Sequence, residues 1–216
     1  MGLSLTTKNT PTYLVPAHEW QTELEIKRSR FLTFAASASN RQAADEFIRS
    51  LRALHPQANH VCWAYIAGSP DTTERSMSDD GEPSGTAGRP MLKVLEYSGY
   101  GDIVVAVVRY FGGIKLGTGG LQRAYSEAVS QVLRELPVQR KVSRIMLELD
   151  YDYTYESAIT HLLGRYDVEN RSSRYAEQVS VSIAVAFNEV DTLKTEMLNV
   201  TAGNIEICLP VMLKAK

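Results

Sequence analysis

Cysteine is scarce in this sequence. Cys62 and Cys208 stand far apart, so a chain of 216 residues has no short disulfide framework. A reducing, cytoplasmic setting is therefore expected. No apolar run approaches the ~20 residues that span a bilayer, which argues against a membrane partner. The opening stretch MGLSLTTKNTPTYLVP holds one lysine and no apolar segment, so it does not read as a secretory signal. Its Met-Gly-x-x-x-Thr start fits the myristoylation pattern only in short outline. Positive charge is not in excess either. Net charge is −2, with 15 Lys+Arg against 14 Asp+Glu in residues 1–140 and 8 against 11 in residues 141–216. Neither part is a polybasic nucleic-acid module, so any contact with RNA must come from a local patch. Internal repeats and low-complexity tracts are absent, and 44% hydrophobic with 22% charged residues is an ordinary globular balance.

This length suits two small domains. The expected division gives residues 1–140, with a core at 18–137, and residues 141–216, joined through Gln139-Arg140-Lys141. The second part is the plainer to read. Residues 144–152 put Ile145, Leu147, Leu149 and Tyr151 on one face and Glu148, Asp150 and Asp152 on the other, as a half-buried strand does. Tyr155, Ala158, Ile159, Leu162, Leu163 and Tyr166 follow with helical spacing. Residues 167–175 are polar, as an edge strand can be. Val179, Val181, Ile183, Val185 and Phe187 alternate strictly with small residues. A helix should begin near Asn188, with Val190, Leu193 and Met197 as its stripe, and Ile205, Ile207, Leu209 and Val211 close with a strand. The order is β-α-β-β-α-β, the ferredoxin-like arrangement, with two helices on one face of a four-stranded sheet.

In the first part, residues 20–26 and 31–34 read as strands around the basic turn Lys27-Arg28-Ser29-Arg30. Asn40 can cap a helix that ends before Pro56, and residues 60–67 form a third strand. Residues 68–90 read as one long polar loop, followed by a short helix at 91–97. The continuous apolar run at 102–110 predicts a strand buried on both faces. A glycine-rich loop then leads into an amphipathic helix that Pro137 stops.

Two loops carry the candidate chemistry. Gly112, Gly113, Lys115, Gly117, Thr118, Gly119 and Gly120 precede a helix whose second turn holds Arg123. Free backbone N–H groups and a helix dipole favour an anion in such a place. The spacing fits neither G-x-x-x-x-G-K-[ST] nor G-x-G-x-x-G, and a tight turn packing the helix on the sheet is the alternative. The second loop, Ser78-Asp79-Asp80-Gly81-Glu82-Pro83-Ser84-Gly85-Thr86, gathers three carboxylates. It could hold a metal or an acid/base pair, though adjacent aspartates more often cap turns and helices. His60 and Cys62 share a strand face but lack two further zinc ligands, so packing is the expected role. No G-x-S-x-G elbow occurs.

Four segments carry a family resemblance: RSRF (28–31), HVCWAYIAG (60–68), SDDGEPSGTAGRPML (78–92) and VVRYFGGIKLGTGGLQRAY (107–125). In this order they resemble the signature of the YigZ/IMPACT family. The resemblance implies an α+β protein of two two-layer α/β sandwich domains. The first would be of the βββαβα type seen in a small-subunit ribosomal protein and in domain IV of elongation factor G. The second would be ferredoxin-like, as is the C-terminal domain of that factor. Eukaryotic members are linked to restraint of a starvation-responsive kinase, but they carry an additional N-terminal domain for which this sequence has no room, so that role is not carried over. The implied function is a non-enzymatic, translation-associated protein that binds rRNA, tRNA or a ribosome-associated protein; the sequence leaves its oligomeric state open, with a monomer favoured. Its surface would comprise Arg30, residues 79–86, Arg109, residues 112–120 with Lys115, and Arg123. No catalytic residue, cofactor or metal is expected. The alternative is an enzyme acting on a phosphorylated or nucleotide substrate, with the glycine loop as anion cradle and Asp79, Asp80 or Glu82 as metal ligand or base.

Overall fold

A computed structural model describes residues 12–209. The chain divides into two compact units, Met1–Lys141 and Val142–Lys216. Both are mixed α+β, and five α-helices are seen among the described residues.

The first unit is built on strands β2 (Trp20–Ile26), β3 (Ser29–Ser37), β4 (His60–Ile66), β5 (Arg75–Ser78) and β6 (Ile103–Tyr110). They lie in the order β2-β3-β6-β4-β5, each neighbouring pair antiparallel. The central β6 explains its own sequence. Cys62, Ala64, Ile66, Val105 and Val107 pack against Met91 and Leu95 of α2 (Gly88–Glu96) and Tyr125 and Val129 of α3 (Thr118–Glu135). Tyr65 and Val104 point the other way, onto Ala44 and Ile48 of α1 (Arg41–Leu54). A run apolar at every position is what a strand covered on both faces requires.

The first unit therefore has three layers, not the two of a simple sandwich. The amphipathic pattern of residues 40–54 shows that α1 has an apolar face, but not which side of the sheet receives it. As expected, Asn40 caps α1, its side chain accepting the Ala43 N–H at 2.9 Å. Two further differences concern strands with little apolar signal. The four residues of β5 lie inside the expected polar loop and pair with Trp63–Ile66. Residues 139–141 are not a link but part of β7 (Val138–Val142), which joins β1 (Thr12–Pro16) in a two-stranded sheet. Buried Asp102 secures this ribbon, accepting from Tyr13 Oη at 3.0 Å, Lys141 Nζ at 2.6 Å and Gly68 N–H at 3.0 Å.

The second unit runs β8 (Arg144–Tyr151), α4 (Glu156–Leu163), β9 (Val168–Tyr175), β10 (Val179–Ala186), α5 (Val190–Val200), β11 (Ile205–Cys208). The element order matches that read from the sequence. The sheet order is β11-β8-β10-β9, fully antiparallel, which puts β9 at an edge as its polar composition suggested. Leu147 sits opposite Ile183, and Leu149 lies between Val181 and Ile207. Both helices add to this one face through Ile159, Leu162, Leu193 and Met197. Phe187 opens a short 3-10 turn before α5 rather than ending β10. Val211 lies outside the described residues.

Candidate functional site

Antiparallel pairing sets His60 of β4 opposite Arg109 of β6, at the end of the sheet where the loops after β5 and β6 emerge. The two candidate loops meet there. A cleft of about 450 Å³ is lined by His60, Glu82 and Pro83 on one side and by Phe111, Lys115 and Thr118 on the other, with Arg109 between.

Its floor is a buried ion pair. Arg109 Nη1 donates to Glu82 Oε1 at 2.5 Å, and the two side chains are only 6% and 3% exposed. Tyr125 Oη donates to the same oxygen at 2.8 Å. Arg109 Nη2 reaches Ser29 Oγ at 3.4 Å, while its Nε is buried without an acceptor. The guanidinium lies between the rings of Phe31, at 5.4 Å, and Phe111, at 5.5 Å. Burying two charges is tolerable only with such close pairing, and removal of either partner leaves the other uncompensated.

The aspartates beside Glu82 do other work. The Asp79 carboxylate accepts the N–H groups of Gly85 (2.7 Å), Ala87 (2.9 Å) and Gly88 (2.8 Å). It thus caps α2 from nine residues away, which starts that helix three residues earlier than its own periodicity suggests. Burial raises the Asp79 pKa, but the three backbone donors outweigh it and hold the carboxyl below its usual value. Asp80 binds Arg52 at 2.7 Å and the Val61 N–H at 2.7 Å. Its carbonyl receives His60 Nδ1 at 2.8 Å, so that nitrogen carries a proton and Nε2 faces Glu82 at 3.9 Å. Gly81 follows at φ +86°, and Thr86 is buried with its hydroxyl on the Pro83 carbonyl at 2.6 Å. Among the described residues no group of three or more His, Cys, Asp or Glu side chains could hold a metal ion. Cys62 gives its Sγ to the Asp79 carbonyl at 3.0 Å, and burial pushes its thiol up to about 12.

The glycine loop has mixed causes. At Gly112 an added Cβ would lie 2.0 Å from the Arg28 carbonyl carbon, so contact with the β2–β3 turn demands glycine. Gly113 and Gly117 take positive φ, and Gly120 lies close to Leu116. The first backbone bond inside α3 runs from Leu121 to the Gly117 carbonyl, which leaves Thr118, Gly119 and Gly120 N–H without intrahelical acceptors. Gly117 provides no side-chain cap.

Two nominated cations stand apart from the cleft lining. Arg30 is held by exposed Glu23 at 2.7 Å, and Arg123 is exposed on the second turn of α3. Gly85, half-buried, has its carbonyl near the Gln122 amide at 3.4 Å. The sequence did not nominate Phe111 or Tyr125, and it gave His60 only a packing role. Tyr125 fits the apolar stripe of α3 too well to stand out. Phe111, apolar at the start of a glycine loop and 45% exposed, was the one available signal.

Fold and cleft define a two-domain α+β protein whose first unit presents a polar cleft at a helix start. Comparisons narrow that class to a family. The family described as Impact N-terminal domain matches residues 27–133, and the domain of unknown function DUF1949 matches residues 149–204. The chain is 41% identical over 197 residues to "IMPACT family member YigZ" of Escherichia coli, covering 91% of this chain and 97% of that protein. It is 38% identical to "IMPACT family member YvyE" of Bacillus subtilis, covering 91% and 90%. A crystal structure of a hypothetical protein, 39% identical, superposes with a TM-score of 0.70 over 95% of this chain and 100% of that one. This chain belongs to the IMPACT family.

Proposed function

We propose that this chain is a non-enzymatic, translation-associated protein that binds RNA, in the ribosome or in tRNA, through the cleft face of its first unit. One observation carries the reading. The uncapped start of α3 lies amid exposed cations that no described ion pair uses: Lys115 on the loop, Arg123 on the second turn, and Lys27 and Arg28 on the turn that Gly112 abuts. Backbone N–H groups with four free cations suit a polyanion whose phosphates are spaced along a chain. Two features of the fold support a translation setting. The second unit has the element order of a ferredoxin-like domain, as does the C-terminal domain of elongation factor G. The first unit is read as akin to domain IV of that factor, with α1 as an addition on the far face of the sheet. No helix of the described residues is long and apolar enough to cross a membrane.

Binding to purified ribosomal subunits and to total RNA across a salt series tests this. Affinity should fall steeply with salt, because phosphate contacts release counterions. Lys115→Ala/Arg123→Ala should weaken binding and flatten the salt dependence by about two phosphate contacts. Wild-type binding by the double variant would reject this face, and a ribosome-associated protein would become the partner to seek.

A further inference from the structure

The cleft has two poles of different chemistry, and together they specify more than a phosphate backbone. At one pole the three free N–H groups of α3 stand beside Lys115. Gly119, next to the cleft-lining Thr118, is exposed. Its φ is not positive, and an added Cβ would meet nothing within 4 Å, so neither backbone conformation nor packing calls for glycine. A missing side chain at an open helix start lets a ligand atom come against the backbone. At the other pole both hydrogen bonds to the Glu82 carboxylate fall on Oε1, which leaves Oε2 for a further donor. His60 bonds through Nδ1, so in the neutral ring Nε2 is a second acceptor turned toward Glu82. Acceptors that line a cleft suit hydroxyl donors. Between the poles, exposed Phe111 is backed by Arg109 and offers a ring to a planar group.

We propose that the cleft binds one ribonucleoside 5′-phosphate unit with a free 2′,3′-diol. Its phosphate sits at the start of α3 and on Lys115, its hydroxyls donate to Glu82 and His60, and its base lies on Phe111. A volume of about 450 Å³ suits one such unit rather than a run of chain. The unit occurs as a free nucleotide and as the 3′ end of an RNA, and the chemistry recognised is common to both. This inference rests on the anion-binding reading above, but it fails separately.

The test alters the ligand first, leaving the protein intact. Binding of the full chain is measured to a short oligoribonucleotide ending in a diol, to the same oligomer ending 2′,3′-dideoxy, and to free ribonucleoside 5′-monophosphates. The diol end should bind about tenfold or more tightly than the dideoxy end. Gly119→Ala, checked for an unchanged denaturation midpoint, should weaken binding of both ends about equally, because both carry the same phosphate. Equal affinity for the two ends, in a protein that still binds RNA with steep salt dependence, overturns the inference and leaves the RNA reading standing. Tight binding of free ribonucleotides without any RNA binding supports the inference and rejects the RNA reading. No binding of any probe rejects both, and wild-type affinity for the diol end in Gly119→Ala overturns the placement of the phosphate.

Discussion

The two units treat polar groups in opposite ways. Among the described residues, Glu82, Arg109, Thr86, Asp102, Ser29 and Thr33 are all buried in the first, whereas Thr201 alone is buried in the second. The second unit covers one face of its sheet, so its polar residues can take the other; Glu148 and Asp150 sit opposite Ser182 and Ser180 there. The first covers both faces, and polar side chains at its sheet end have no solvent side to turn to. Glu82 is matched by Arg109 and Tyr125 and Asp102 by Tyr13 and Lys141, while Thr33 Oγ1 and Arg109 Nε stay without a partner.

The sharpest way to break this contrast is Glu82→Ala. Leaving Arg109 buried and unpaired should cost about 3–5 kcal/mol. Urea titration can assign the loss, because both tryptophans, Trp20 and Trp63, lie in the first unit while circular dichroism reports on both. A loss under about 1 kcal/mol would mean that the pair is not what holds the cleft together. Next comes Asp79→Ala, which strips three backbone N–H groups of their acceptor and should cost about 1–3 kcal/mol in the tryptophan signal. The same carboxyl predicts a pH effect. Its folded pKa is depressed, so its contribution is fully present above the unfolded value, near 3.9, and is lost as pH falls through the lower folded one. Stability of the first unit should therefore drop below about pH 4, and less steeply in Asp79→Asn. The smallest effect belongs to the second unit. Glu148→Gln on its uncovered sheet face should stay within about 0.5 kcal/mol, and a larger loss would show polar matching there too.

Legibility in the sequence follows the same divide. In the second unit one face is apolar and one polar, so strict alternation from Ile145 to Tyr151 and from Val179 to Val185 displays both the strand and its side. In the first unit β6 is apolar from Ile103 to Val108 and signals burial on both faces, while the two-layer expectation comes from the family resemblance and is overturned by α1 on the far face. The Arg-Ser-Met-Ser of β5 has no apolar rhythm; it is a strand because it pairs with β4. The cleft was half legible. Glu82, Lys115 and Thr118 were nominated from two separate loops, and Arg109 through the family resemblance. Their convergence depends on β4 lying beside β6, a pairing that local periodicity does not encode. The aspartates showed the reverse failure: beside Glu82 they suggested chemistry, while their bonds go to backbone N–H groups and to Arg52.

The ribbon of β1 and β7 bears on the order in which this protein takes shape. Residues 12–16 leave the ribosome early, yet the strand that joins them spans residues 138–142. Phe31 of β3 likewise finds Arg109 of β6 far along the chain. The first unit cannot close until nearly all of it has been synthesised, and such distant pairings form slowly. The second unit, whose β9 and β10 are adjacent in sequence, starts from near contacts. During synthesis the part with the buried charges waits longest for its partners. A change that weakens Glu82 or Arg109 should therefore show first as lost soluble yield, ahead of any loss of binding.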